Sequence, residues 1–150
     1  MATSGANALK VTKIYDGAFS DASVRNHCVF ALQCTTGKIY LLHEDKAATA
    51  FKKQGEFKIQ KHQRHTLNTI QVTSEYVYVG FPDKHMIHQY TFDGQLVQEH
   101  GTKGSGVGGL NRPLLTGCDS FNNILIAGNE NHRLDVLRAD GSFCRSCRRM

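Results

Sequence analysis

The 150-residue sequence contains no tryptophan, only two prolines, and no apolar run that approaches the length of a membrane span. A helix needs roughly 20 consecutive apolar residues to cross a bilayer, so the sequence predicts no membrane partner. Residues 1–10 are small and polar, and they lack the apolar centre of a secretory signal. The five cysteines are an odd number and are scattered, so we expect reduced thiols in a cytoplasmic protein.

Motifs for catalysis and for cofactors are also missing. The sequence has no Gly-x-Ser-x-Gly elbow, and its glycine-rich stretch at 101–109 lacks the Gly-Lys-Ser/Thr ending of a phosphate loop. The His-x-x-His spacing at 62–65 and 85–88 is similar to metal-ligand spacing, but strand residues three apart point to opposite faces. The Cys-x-x-Cys at 144–147 has no second pair to complete a zinc site. We therefore expect no catalytic residue, no metal and no cofactor.

What the sequence does contain is a repeat. Residues 75–96 align without a gap with residues 122–143, and short runs of Val, Ile, Tyr, Thr and Phe in them favour strands. A third, weaker copy precedes these: Gly37–Leu42 resembles the second strand of the other copies, and the alignment needs an insertion or deletion near Gly55. The matched features are the apolar runs Val77–Gly80 and Ile124–Ala127, His85 and His132, and Asp93-Gly94 and Asp140-Gly141.

Each copy is predicted to hold four short strands. Its second strand is almost wholly apolar, which is typical of a strand buried on both faces, and its Asp-Gly dipeptide predicts a type I′ hairpin turn. Four antiparallel strands in a unit of about 40–47 residues match a propeller blade. The predicted fold is all-β: one domain over 1–150, a partial β-propeller of about three four-stranded blades. A β-sandwich is the main alternative, but it does not require its units to resemble one another. The blade units are expected at approximately 23–60, 66–100 and 110–147, with an N-terminal strand at 9–19.

Three segments of the last unit carry a resemblance to a known family. They are Gly108–Pro113, Asn123–Ala127 and the triplet Asn131-His132-Arg133, and together they resemble an NHL repeat. Lys84-His85-Met86 replaces the triplet in the middle unit. Such repeats commonly form six-bladed propellers in tripartite-motif proteins, where a RING and B-boxes supply ubiquitin-ligase activity. The resemblance implies half of such a propeller, with recognition of substrates for ubiquitination; the chain itself has neither RING nor B-box.

Three blades cannot close a ring. The sequence leaves open a homodimer that completes a six-bladed ring and a fragment of a longer product. It also leaves open a truncated repeat product without independent function. A metal-dependent propeller enzyme of lyase or lactonase type is a further alternative. Its ligands would come from the inner strands, which offer only the sparse set Asn68, Thr69, Thr116 and Asp119.

The expected partner is a protein or single-stranded RNA, bound on one face of the propeller. The loops between second and third strands and between blades share that face, where cations slightly outnumber acidic residues, among them Glu44 and Asp45. Phe81 is the only obvious aromatic residue there for base stacking. Structural roles are the alternative, with His85 and His132 tying loops to neighbouring strands and Arg133 satisfying carbonyls between blades. The predicted partner-binding residues are Arg64, Lys84, His85, Lys103, Arg112, His132 and Arg133.

Overall fold

A computed structural model of the chain describes residues 18–45, 47, 50–60, 67–128 and 130–145. Most of the predicted N-terminal strand at 9–19 lies outside these residues, and Phe19 begins the first described strand. Among the described residues, no helix has the length and apolar character required to cross a membrane.

The described strands form three four-stranded antiparallel sheets, each with its strands in chain order, and one short parallel pair. The first sheet contains β1 (Phe19–Arg25), β2 (Cys28–Gln33), β3 (Lys38–Asp45) and β4 (Ala50–Lys58). The second contains β5 (Thr69–Val72), β6 (Val77–Phe81), β7 (Met86–Tyr90) and β8 (Leu96–His100), with a 3-10 turn at Pro82–Lys84. The parallel pair is β9 (Thr102–Lys103) and β10 (Gly109–Leu110). The third sheet contains β11 (Pro113–Cys118), β12 (Ile124–Gly128), β13 (Arg133–Leu137) and β14 (Phe143–Arg145).

This architecture confirms the predicted all-β fold and is that of a partial propeller. The first and second sheets pack against each other through one apolar core, and the second and third sheets pack through another. The central strand β6 explains the continuous apolar run, because Val79 enters the first core while Tyr78 enters the second. Gly80 lies where a Cβ atom would come within 2.7 Å of the Thr69 hydroxyl and 3.0 Å of Leu115, so glycine allows the third sheet to pack closely.

Side chains of the inner strands join neighbouring sheets through hydrogen bonds. The Ile70 N–H donates to the Asp21 carboxylate at 2.9 Å, and the Leu115 N–H donates to the Thr69 hydroxyl at 3.0 Å. Because a buried backbone donor needs a partner, these contacts fix how each sheet sits against the one before it.

The predicted match between Gly37–Leu42 and the second strand of the other copies is wrong by one strand. Lys38–Asp45 is the third strand of its sheet, and Cys28–Gln33 is the second. Both strands read as short apolar runs, so the pattern alone could not distinguish them. As a result Glu44 and Asp45 lie at the sheet ends opposite to the predicted face, where the Glu44 N–H donates to the His27 carbonyl.

The irregularity expected near Gly55 is a β-bulge. Leu41 pairs with Gly55 and Leu42 pairs with Lys53, which leaves Gln54 as the extra residue in β4. A bulge re-aims the side chain of its extra residue, and Gln54 lines a groove between the first and second sheets.

The predicted type I′ turns at the two Asp-Gly dipeptides were wrong. Within each of these dipeptides, positive φ occurs at the glycine and not at the aspartate, with 95° at Gly94 and 90° at Gly141. The Gly94 N–H donates to the Thr91 carbonyl at 3.1 Å, so each loop is a three-residue type I turn followed by a glycine bulge. A two-residue turn with positive φ at both positions instead joins β1 to β2, at Asn26 (50°) and His27 (63°).

Candidate functional site

The predicted partner-binding residues in the described chain lie at one end of the sheets, which we call the loop face (residues 34–37, 59–60, 67–68, 82–85, 101–112 and 130–133). Lys84 and His85 lie between β6 and β7, and Lys103 and Arg112 lie in the connection from the second sheet to the third. His132 and Arg133 lie at the start of β13. Arg64 lies outside the described residues.

His85 and Arg112 hold the second and third sheets together. The Arg112 N–H donates to Nδ1 of His85 at 3.1 Å, and the Arg112 guanidinium lies 2.5 Å from the Asp83 carboxylate. The hydrogen bond of His85 supports the structural interpretation of this repeated histidine, since its ring connects a loop to the next sheet. The Arg112 charge is already balanced by Asp83.

The side chain of Arg133 is enclosed by hydrogen-bond acceptors. Its side chain is 5% exposed and donates from Nε to both carboxylate oxygens of Asp135 at 2.9 Å. Its terminal nitrogens donate to the carbonyls of Ser105, Gly106 and Gly109. We call Gly104–Gly109 the glycine hook. These hydrogen bonds support the carbonyl-satisfying role of Arg133, because the side chain is already occupied by the hook.

Asn131 completes the attachment of the glycine hook. Its side-chain amide donates to the Gly104 carbonyl at 3.0 Å, so two residues of the Asn-His-Arg triplet hold the same loop. The Arg-x-Asp spacing of Arg133 and Asp135 places both side chains on one face of a strand. That spacing, downstream of a glycine-rich segment, is the sequence signal that would have predicted this clamp.

The exposed residues described on the loop face are mixed in character. Lys103 and His132 are exposed, and so is Val107 at 71%. The Lys84 ammonium lies 5.3 Å from the centre of the Phe81 ring. Phe81 itself is 2% exposed, so the one aromatic residue proposed for base stacking is buried in the core between the first and second sheets.

The inner-strand residues considered for a metal enzyme do not converge. Thr69 begins its strand and accepts the Leu115 N–H, whereas Asp119 follows the opposite end of β11. Hydrogen bonds from Asn123 lower the pKa of Asp119, which caps the turn before β12. Within the described ranges, no group of three or more His, Cys, Asp or Glu side chains is placed to hold a metal ion.

A series of polar contacts runs from Gln60, in the segment between the first and second sheets, to buried side chains of the second sheet. The Gln60 N–H donates to the Tyr90 hydroxyl at 2.9 Å, and that hydroxyl lies 2.9 Å from Nδ1 of His88. Burial raises the pKa of Tyr90 to about 12, so its hydroxyl keeps its proton and can donate it to Nδ1. His88 Nε2 then faces the Glu99 carboxylate at 3.2 Å. Because His88 is 0% exposed, a substrate could not reach its ring, and we interpret this series of contacts as structural.

Concavities are also present at the opposite end of the sheets, which we call the turn face (residues 26–27, 73–76, 91–95, 119–123 and 138–142). Three adjoining concavities of about 590, 510 and 270 Å³ meet around the Asn26–His27 turn. The sequence did not predict this region, because its residues are distributed over several strands and turns. The smallest of these three concavities lies between the first and second sheets.

Comparison with solved structures identifies the fold. The chain is similar to a streptogramin B lyase (TM-score 0.61, 16% identity, 87% of this chain and 40% of that one). It is similar to a catalytically inactive virginiamycin B lyase from Staphylococcus aureus with quinupristin (TM-score 0.61, 16% identity, 91% and 43%). It is also similar to an auxiliary nutrient binding protein from Bacteroides thetaiotaomicron (TM-score 0.55, 17% identity, 83% and 35%).

These neighbours are β-propeller-like proteins, and at such low identity they show the fold alone. The chain spans about two fifths of the length of the similar lyases. No protein-family model and no curated protein matches the sequence.

Proposed function

We propose that the chain is a non-catalytic recognition module of NHL type, which binds a protein partner through its loop face. The glycine hook supports this proposal best. Arg133 and Asn131 hold the hook in one conformation, yet Val107 within it is 71% exposed. A loop that is ordered before binding loses less conformational entropy when a partner docks. The hook therefore has the properties of a prepared contact surface.

A protein fits this face better than single-stranded RNA does. RNA recognition relies on unpaired cations and on aromatic rings for base stacking. Here Arg112 and Arg133 face carboxylates, and Phe81 is buried. The face instead exposes the apolar side chains of Val107 and Leu67 (73% exposed), and a protein partner that covered them would bury apolar surface, which is favourable. In a tripartite-motif-like protein, such a module would select the substrate for ubiquitination.

Site-specific photo-crosslinking tests this proposal. A benzoylphenylalanine placed at Val107 is expected to crosslink a discrete protein in cells, whereas the same group at Phe121 on the turn face is not. With the captured partner purified, Lys103→Glu and Val107→Asp should each weaken binding about tenfold or more, because both side chains would lie in the contact. Arg138→Glu, on the turn face, serves as the charge control.

Two results would contradict the proposal. Equal crosslinking from positions 107 and 121 would remove the preference for the loop face. Binding of a single-stranded RNA oligonucleotide that weakens steeply as salt rises would favour RNA, because phosphate contacts release counterions.

We also propose that a second copy of the chain covers the open face of the third sheet. Along β13 the side chains of Asp135 and Leu137 are buried, whereas Leu134 on the opposite face is 40% exposed. Two copies would place six sheets around one axis and continue the sheet-to-sheet packing already present. Mass photometry should show a dimer of the 16.7-kDa chain that Leu134→Glu converts to monomer and Val97→Glu, on an outer strand, does not. A wild-type monomer at micromolar concentration would contradict this assembly.

A further inference from the structure

A groove of about 270 Å³ opens on the turn face between the first and second sheets. Its residues come from β1 to β4 of the first sheet and from two turns of the second, and none of them is a predicted partner-binding residue. The groove is smaller than the roughly 300–1,000 Å³ typical of sites for drug-sized ligands. It therefore has room for about one ring system.

The floor of the groove is apolar. Phe30 is 6% exposed, and its ring centre lies 5.9 Å from that of Phe92, which is 39% exposed in the turn between β7 and β8. Leu41 and Cys28 complete this surface, and burial raises the pKa of the Cys28 thiol, which stays neutral. Two rings at this spacing can take a third aromatic ring against the exposed one.

The rim of the groove is polar and carries positive charge. It includes Arg25, Asn26, His43 and Gln54, and none of the described residues that line the groove is acidic. In the described part of the chain, none of these four side chains makes a hydrogen bond or an ion pair. Side chains with unused donors around an apolar floor are typical of a small-molecule site.

Two backbone irregularities place rim residues at the groove. Gln54 is the extra residue of the β4 bulge, and Asn26 lies in a turn where it and His27 both have positive φ. The local irregularity of the first sheet, which weakened its sequence repeat, thus coincides with the groove.

We propose that this groove binds an aromatic ring that carries a carboxylate. The ring would lie against Phe92, and the carboxylate would accept hydrogen bonds from the Arg25 guanidinium, whose planar fork matches a carboxylate. Gln54 and Asn26 supply further donors at the rim. Two sources share this chemistry, a free aromatic acid and the carboxy-terminal aromatic residue of a peptide. The site is independent of the loop face.

The absence of tryptophan gives a direct assay, because an indole probe can be excited without tryptophan emission from the protein. The probes are indole-3-acetate for the free acid and Gly-Gly-Trp for the peptide, with N-acetyltryptophanamide as the analogue without a carboxylate. Saturable changes in probe fluorescence are expected with at least one of the two acids. The amide should bind about tenfold more weakly or worse, since it cannot pair with Arg25.

Matched variants test the assignment of residues. Arg25→Gln and Phe92→Ala should each weaken binding of the preferred acid by about tenfold. Arg138→Gln and Phe121→Ala change an arginine and a 79%-exposed phenylalanine on the turn face of the third sheet, and they should bind like the wild type. Thermal unfolding of each variant shows whether it is folded.

The preferred probe identifies the source of the ligand. Stronger binding of indole-3-acetate indicates a free acid, and stronger binding of Gly-Gly-Trp indicates a peptide terminus. Absence of saturable binding by both acids would overturn the proposal. Equal affinity for the amide, or unchanged affinity in folded Arg25→Gln, would also overturn it.

Discussion

Removal of the Arg133 side-chain charge should strongly destabilise the protein. The Arg133–Asp135 pair is only 5% and 7% exposed, so Arg133→Met leaves a buried carboxylate without its partner. Breaking a buried ion pair from one side destabilises by about 3–5 kcal/mol. The carbonyls of Ser105, Gly106 and Gly109 lose their donors in the same change.

The expected loss is a large fraction of the roughly 5–15 kcal/mol that stabilises a typical domain. At about 2–4 °C for each kcal/mol in a chain of this size, the unfolding midpoint should fall by roughly 6–20 °C. Urea unfolding followed by circular dichroism gives the free energy directly. Asp83→Asn is the control, because the Asp83–Arg112 pair is 52% and 44% exposed and exposed pairs contribute about 0–1 kcal/mol.

A second substitution distinguishes the effect of a buried, unpaired carboxylate from that of a general packing defect. Asp135→Leu in the Arg133→Met background removes the unpaired carboxylate and should recover part of the stability. The reasoning fails if Arg133→Met changes the free energy of unfolding by less than about 1 kcal/mol. It also fails if the double variant is no more stable than the single one.

Two further changes test the packing of the second sheet. Gly94→Ala should destabilise the protein by about 1–3 kcal/mol in urea unfolding, because its Cβ would lie 2.5 Å from Cβ of Phe57 at a φ of 95°. Gly55→Ala is the control and should not destabilise, because a Cβ atom there would have nothing within 4 Å. Equal effects of the two substitutions would refute the argument. Burial lowers the pKa of His100 from its ordinary 6.5, so the unfolded chain takes up the proton first. Stability from this group is therefore complete above pH 6.5 and falls as the pH drops toward the lowered pKa. His100→Gln should reduce the loss of stability between about pH 7.5 and 5, whereas an unchanged pH profile would contradict this.

The second and third sheets could be predicted from the sequence because their strands repeat without a gap. The apolar run Val77–Gly80 indicated a strand covered on both faces, as β6 is. The first sheet was harder, since the bulge at Gln54 breaks its register and both β2 and β3 are apolar.

The candidate sites were less predictable than the fold. Basic loop residues can be found by composition, but whether a cation is available depends on neighbours such as Asp83 and Asp135. Arg25 and Phe92 both line the groove, although they are far apart in the chain and belong to different sheets. No local pattern records that proximity, because it results from the stacking of sheets.

The five residues of β6 are all buried, and its sheet has a neighbour on each side. A chain of modules that contact only adjacent modules distributes its stability unevenly, with the greatest resistance to opening at the centre. Opening fluctuations should therefore begin in the flanking sheets and reach the centre only when the whole molecule unfolds. The groove borders the first sheet and the glycine hook is held by the third, so a ligand at either site would act on a flanking sheet while the middle sheet stays fixed.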